Sequence, residues 1–133
     1  MPSQKPVWDI LSEDQLKETL ALQERLLQID RREEAQGNFL DFVRLIWEEF
    51  IEGRHHKIFA EKLQDVADGK IKRLIVNMPP RHTKSEFASY LFPAWLIGKK
   101  PDLKIIQTTH TAELAVRFGR KMRNLMDSME YKD

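Results

Sequence analysis

The chain has 133 residues, of which 41% are hydrophobic and 32% are charged, and its net charge is +1. This balance is typical of one folded globular domain and excludes a wholly disordered chain. The absence of cysteine excludes disulfides and thiolate metal sites, and the longest apolar stretch, residues 90–98, is too short to span a bilayer. We therefore expect a cytosolic protein with no membrane partner.

The charge is unevenly distributed along the chain. Residues 1–69 contain 9 Lys/Arg and 15 Asp/Glu, a net charge of −6, whereas residues 70–133 contain 13 and 6, a net charge of +7. Because phosphates are attracted to cationic surfaces, the second half is the candidate for contact with a nucleotide or a nucleic acid.

Two amphipathic helices are predicted at the start of the chain. Ser12 and Gln15 have the spacing of a capping box, which opens a helix at about residues 13–35. Asn38 can cap a second helix that ends near Gly53. Its apolar stripe is rich in aromatic residues but lacks the regular interleaving with basic residues that is typical of a base-stacking surface, which favours core packing.

The hydrophobic period changes after a third predicted helix. That helix covers about residues 56–68 and is followed by Gly69 in the C′ position. Residues 74–78 then form a short apolar run rich in β-branched side chains, closed by prolines at 79 and 80. This pattern predicts a buried strand.

The rest of the chain predicts a βαβα order. A helix at 84–97 is expected to be kinked or broken at Pro93, which has no N–H for an interior bond. It is followed by a second strand at 103–109 and a helix at 111–129. We therefore predict an α/β fold, with the N-terminal helices followed by the start of a P-loop parallel sheet.

The loop at residues 79–85, Pro-Pro-Arg-His-Thr-Lys-Ser, lies between the first predicted strand and its helix, where a phosphate-binding loop belongs. There Lys84 reaches the β and γ phosphates and Ser85 places a hydroxyl on Mg²⁺. The glycines of the standard motif are replaced by Met78 and Thr83. The alternative is that a Lys-Ser pair after a turn is only the solvated start of a helix.

The order of several motifs resembles one protein family. The variant P-loop at 79–85 is followed by Phe-Pro-Ala-Trp at 92–95, Pro-Asp-Leu-Lys at 101–104 and Leu-Ala at 114–115. Residues 55–128 thereby resemble the ATPase domain of large terminase subunits of tailed bacteriophages. The resemblance implies an ATP-binding part of a motor that couples ATP hydrolysis to the translocation of DNA into a procapsid.

The resemblance also implies roles for particular residues. Lys84 and Arg81 would be catalytic, Ser85 would be the protein's Mg²⁺ contact, and His56 would lie near the adenine. The predicted ATP-binding residues are Pro80, Arg81, His82, Thr83, Lys84, Ser85, Glu86 and His56. From the residues alone, His56 can equally be a helix cap, and His82 an exposed loop residue.

The division into domains follows from the same resemblance. Residues 1–69 would be an N-terminal helical region, and residues 70–133 a partial ATPase core without the acidic Walker B residue. We find no apolar strand ending in an acidic pair after Thr109. We therefore expect an N-terminal fragment with little ATP turnover of its own, with the Walker B element and a nuclease domain further downstream.

The expected partners are double-stranded viral DNA, the portal protein and the small terminase subunit, in a homo-oligomeric ring that acts in the host cytoplasm at the procapsid portal vertex. Two alternatives stay open: another P-loop nucleic-acid motor, such as a helicase-like ATPase, and a non-catalytic module that docks on the small subunit or the portal. Arg117, Arg120, Lys121 and Arg123 form a basic cluster that either follows DNA phosphates or is a solvated helix face. The threonines at 108 and 109 either lie at a ligand-binding edge or cap the next helix.

Overall fold

A computed structural model of the protein describes residues 12–132, and those residues form a helical assembly in which no β-strand is present. The α-helices are α1 (Glu13–Gly37), α2 (Phe39–Ile46), α3 (Arg54–Ala67), α4 (Lys84–Glu86), α5 (Phe92–Lys99), α6 (Ala112–Met126) and α7 (Met129–Lys132). A π-helical segment, Phe87–Leu91, joins α4 to α5 in one helical run over residues 84–99. None of the helices in the described part of the chain has the length and apolar character needed to cross a membrane.

The predicted starts of the first two helices are confirmed, as are the ends predicted for the first and the third, whereas α2 ends at Ile46 and not near Gly53 as predicted. The Ser12 hydroxyl accepts from the Gln15 N–H, and the Gln15 side chain accepts from the Ser12 N–H, so the capping box is complete. The Asn38 side chain accepts the N–H groups of residues 40 and 41 and caps α2. Gly69, at φ of 77°, lies beyond the end of α3 as predicted.

The predicted parallel sheet is wrong. Residues 74–78 and 103–109 have no regular secondary structure, and neither segment pairs with another strand within residues 12–132. Residues 74, 76 and 78 pack partly against the core, whereas Ile75 is 87% exposed and Ile106 is 90% exposed. The β-branched runs favour extended backbone, but a strand also needs a neighbour for its N–H and C=O groups, and the described residues supply none.

The core forms around Phe39, which has no exposed surface. Its ring meets Phe87 and Phe92 edge to face at 5.6 and 5.5 Å and lies 5.6 Å from Trp95. The Trp95 indole N–H donates to the carbonyl of Ala35 at 2.9 Å. These contacts fix the end of α1 and the start of α2 against the helical run 84–99 and confirm the aromatic stripe of α2 as core.

The helical run changes its hydrogen-bonding period ahead of Pro93, close to where a break was expected. The N–H of Phe92 donates to the carbonyl of Phe87, a π-type bond. Pro93 has no N–H to offer the carbonyl of Ser89, which instead accepts from the Gln107 side chain at 3.0 Å. Pro93 thereby leaves the Ser89 carbonyl free to accept from Gln107, and this hydrogen bond attaches the segment 103–109 to the helical run.

Helix α7, at the end of the described chain, packs against the helical run 84–99. The Tyr131 hydroxyl on α7 donates to the carbonyl of Ala94 at 2.7 Å. It comes this close because residue 98 is glycine: a β-carbon on Gly98 would lie 2.8 Å from the tyrosine oxygen. The small residue near the end of α5 thus makes room for α7.

Candidate phosphate-binding site

The loop at residues 79–83 connects the segment 74–78 to the helical run 84–99. Two of its residues, Arg81 at φ of 65° and Thr83 at φ of 59°, have left-handed backbone conformations although neither is glycine. Such conformations are strained for side chains with a β-carbon, and more so for a β-branched one. Thr83 therefore adopts the less common conformation that the missing motif glycine would otherwise supply.

The strained turn leads directly into a helix start with free N–H groups. The first backbone bond of the run is donated by the Phe87 N–H to the carbonyl of Thr83 at 2.9 Å. The N–H groups of Lys84, Ser85 and Glu86 accordingly have no partner within the described residues. Thr83 is left-handed and the next residues are right-handed helical, a succession that brings neighbouring N–H groups into the concave arrangement that binds anions.

The loop also supplies two cations. Arg81 is exposed and Lys84 is half-buried, and within residues 12–132 no carboxylate forms an ion pair with either of them. Ser85 is exposed at the first turn of the helix. Arg81, Lys84 and Ser85 thus lie within five residues of one another at a helix start with free N–H groups, which is the combination of groups that phosphate sites use.

Glu86, predicted to contact the nucleotide, has a different partner. Both of its carboxylate oxygens accept from the Lys121 ammonium on α6, at 2.9 and 2.7 Å. The same ammonium lies 4.8 Å from the centre of the Tyr90 ring. This contact fixes α6 against the helical run and takes Lys121 out of the predicted basic cluster, whose other members, Arg117, Arg120 and Arg123, are exposed.

Three histidine rings lie side by side next to the loop. The ring centres of His55 and His56 are 3.8 Å apart, and those of His55 and His82 are 5.7 Å apart. His82 Nδ1 lies 2.9 Å from the carbonyl of Pro80, so this nitrogen carries a proton. His55 was not singled out from the sequence, and the only signal for it was its place beside His56 at a helix start.

His56, predicted near the adenine, is only 6% exposed, and its ring packs against Phe50 and Phe87. Its Nδ1 accepts from the Gly53 N–H at 2.9 Å, which is the helix-capping role that the sequence left open. Nε2 therefore carries the proton of the neutral ring, and it has no partner among the described residues. Burial lowers the pKa of His56, as does the charge of His55, whereas Glu52 opposes the shift.

The described residues offer few side-chain ligands for a metal ion. Within residues 12–132, no group of three or more His, Asp and Glu side chains is placed to hold a metal ion. A magnesium ion at Ser85 would take its remaining ligands from phosphates and water, which is the usual mode of Mg²⁺ binding at nucleotide sites.

Comparisons with protein-family models, with curated proteins and with solved structures gave no match to this chain. The functional assignment therefore depends on the geometry of the loop and on the motif order in the sequence.

Proposed function

We propose that the loop 79–83 and the first turn of the helical run 84–99 bind the phosphates of ATP with Mg²⁺, and that the chain is the nucleotide-binding part of a viral DNA-packaging motor. The observation that carries the proposal is the left-handed Thr83 directly before Lys84 and Ser85. This conformation precedes a helix start whose N–H groups have no partner within residues 12–132, at the positions of a lysine and a serine. The proposal requires the loop and the helix start and does not require a sheet.

Each group has a specific part in this site. The N–H groups of Lys84 and Ser85 replace their missing intrahelical acceptors with phosphate oxygens. The ammonium of Lys84 and the guanidinium of Arg81 balance the phosphate charge, and neither has to leave an ion pair to do so. Mg²⁺, held through the Ser85 hydroxyl, supplies charge neutralisation on the terminal phosphates.

The role in DNA packaging is supported by the resemblance to large terminase subunits and by the exposed basic face of α6, formed by Arg117, Arg120 and Arg123. This face is suited to the phosphates of double-stranded DNA, and such binding weakens steeply with salt. The portal protein, the small terminase subunit and a homo-oligomeric ring complete the proposed assembly.

The experiment is an equilibrium titration of the chain with a fluorescent ATP analogue and Mg²⁺. Lys84→Ala removes a charge-assisted contact of about 1.5–3 kcal/mol, so affinity should fall roughly ten- to a hundredfold. Lys99→Ala is the matched control, because it removes the same charge from the other end of the helical run, about 20 Å away. Unchanged affinity in Lys84→Ala would remove this lysine from the site, and no binding by the parent chain would favour the non-catalytic interaction module.

A further inference from the structure

Helix α1 has a long apolar face that nothing in the described chain covers. Every residue from 12 to 31 is exposed, and α1 meets the rest of the molecule through its last two turns, where Ala35 is buried. The large apolar residues of this arm are between 39% and 61% exposed. They are Leu16, Leu20, Leu22, Leu26, Leu27 and Ile29, which we call the α1 apolar face.

The α1 apolar face occupies one half of the helix circumference at 3.6 residues per turn. Ala35 lies on the opposite half, so the face is directed away from the core. Together the six side chains expose on the order of 500 Å², about as large as the largest apolar patch of an ordinary monomer. Because most helical stability in proteins comes from packing an amphipathic face against other apolar surface, a partner that covers the face would stabilise the arm.

The charges beside the face are complementary to those of a second copy that runs in the opposite direction. Glu13 and Arg31 are about five turns apart and flank the same side of the face. Glu18 and Arg25 are about two turns apart and flank the other side. The first pair is centred on Leu22 and the second is centred half a residue before it, so an antiparallel helix pair centred there places each glutamate beside an arginine of the other copy.

A parallel arrangement of the two helices would bring like charges together. In a parallel helix pair, a flanking residue meets the residue five positions further along on the other helix, which places Glu13 beside Glu18 of the second copy. The pattern therefore disfavours parallel pairing. Two apolar faces would bury on the order of 1,000 Å² in total, at the lower limit for a specific interface.

We propose that α1 is a self-association arm, through which two copies of this chain form an antiparallel helix pair centred on Leu22. The pairing is isologous, since the same face serves both copies. It uses a part of the molecule that makes no contribution to the phosphate site, so it is independent of the proposed ATP binding.

Sedimentation velocity on the full chain over a range of concentrations is the first test. The parent chain should form a dimer in the micromolar range, and Leu22→Glu with Leu26→Glu should remain monomeric at all concentrations. Ala21→Glu, on the polar side of the same helix, is the matched control and should dimerise like the parent. Circular dichroism confirms that each variant is folded. A parent chain that stays monomeric at about 100 μM, or a double variant that still dimerises, overturns the proposal.

Disulfide cross-linking tests the direction of pairing. Because the sequence has no cysteine, each variant carries a single thiol at a known position. Leu22→Cys lies at the centre of the pair, so it should form an intermolecular disulfide under mild oxidation. Leu16→Cys should not, because antiparallel pairing places its two copies about 18 Å apart along the axis. Efficient cross-linking of Leu16→Cys would instead establish parallel pairing and refute the register.

Discussion

Replacing Thr83 with glycine should raise the free energy of unfolding, because Thr83 is a β-branched residue held at φ of 59°. A non-glycine residue in this region costs about 1–3 kcal/mol. Glycine removes that cost, but it also destabilises the folded state by about 0.5–1 kcal/mol, because it gives the unfolded chain more conformational freedom. Among the described residues, the side-chain hydrogen bond that is lost is the exposed one from the Thr83 hydroxyl to the carbonyl of His82. The expected net gain is about 0.5–2 kcal/mol.

Urea unfolding followed by circular dichroism measures this gain, and Thr83→Ala is the matched control. Alanine loses the same hydroxyl but keeps a β-carbon at positive φ, so its stability should remain close to that of the parent chain or fall slightly. If Thr83→Gly is no more stable than Thr83→Ala, the loop does not hold residue 83 in the strained conformation, and the account of how the site forms without glycines is wrong.

Two further predictions concern the packing of the helices. Gly98→Ala should destabilise the parent chain, because the new β-carbon would lie 2.8 Å from the Tyr131 hydroxyl. In a Tyr131→Phe background, Gly98→Ala should be neutral or stabilising by up to about 1 kcal/mol, since alanine is the better helix former. Urea unfolding of the double-mutant cycle measures this coupling, and a cycle without coupling would contradict the contact between residues 98 and 131. Because burial lowers the pKa of His56, the unfolded chain takes up its proton more readily, so stability should be constant above about pH 7 and fall as the pH drops through the ordinary histidine range. His56→Asn should flatten this dependence in unfolding measured from pH 7.5 to 5, whereas His110→Asn, at an exposed position, should leave it unchanged.

The helices could be predicted from the sequence because their signals are local. The capping box at Ser12, the Asn38 cap and Gly69 act on backbone groups within a few residues, so the pattern already contains both partners. The strands could not be predicted in the same way. The runs at 74–78 and 103–109 carry the right side chains, but pairing depends on a neighbouring strand, and the described residues contain none.

The candidate site shows the same division between local and distant signals. The helix start at Lys84, with Ser85 in its first turn, depends on local signals and is confirmed, whereas the strand predicted before the loop is absent from the described residues. The contact of Glu86 with Lys121 spans 35 positions, and the approach of His55 to the loop also depends on how helices pack. Side-chain roles that depend on such packing are not encoded in a short motif.

The most direct measurement of the central claim is the change in amide resonances of the isotope-labelled chain on titration with ATP and Mg²⁺. The N–H groups of Lys84, Ser85 and Glu86 have no hydrogen-bond partner among residues 12–132, so phosphate binding should shift them most, with saturation at the affinity found by fluorescence. The amides at residues 97–99, at the other end of the helical run, should barely move. Saturable binding that leaves the amides of residues 84–86 unshifted would contradict the claim that this helix start holds the phosphates.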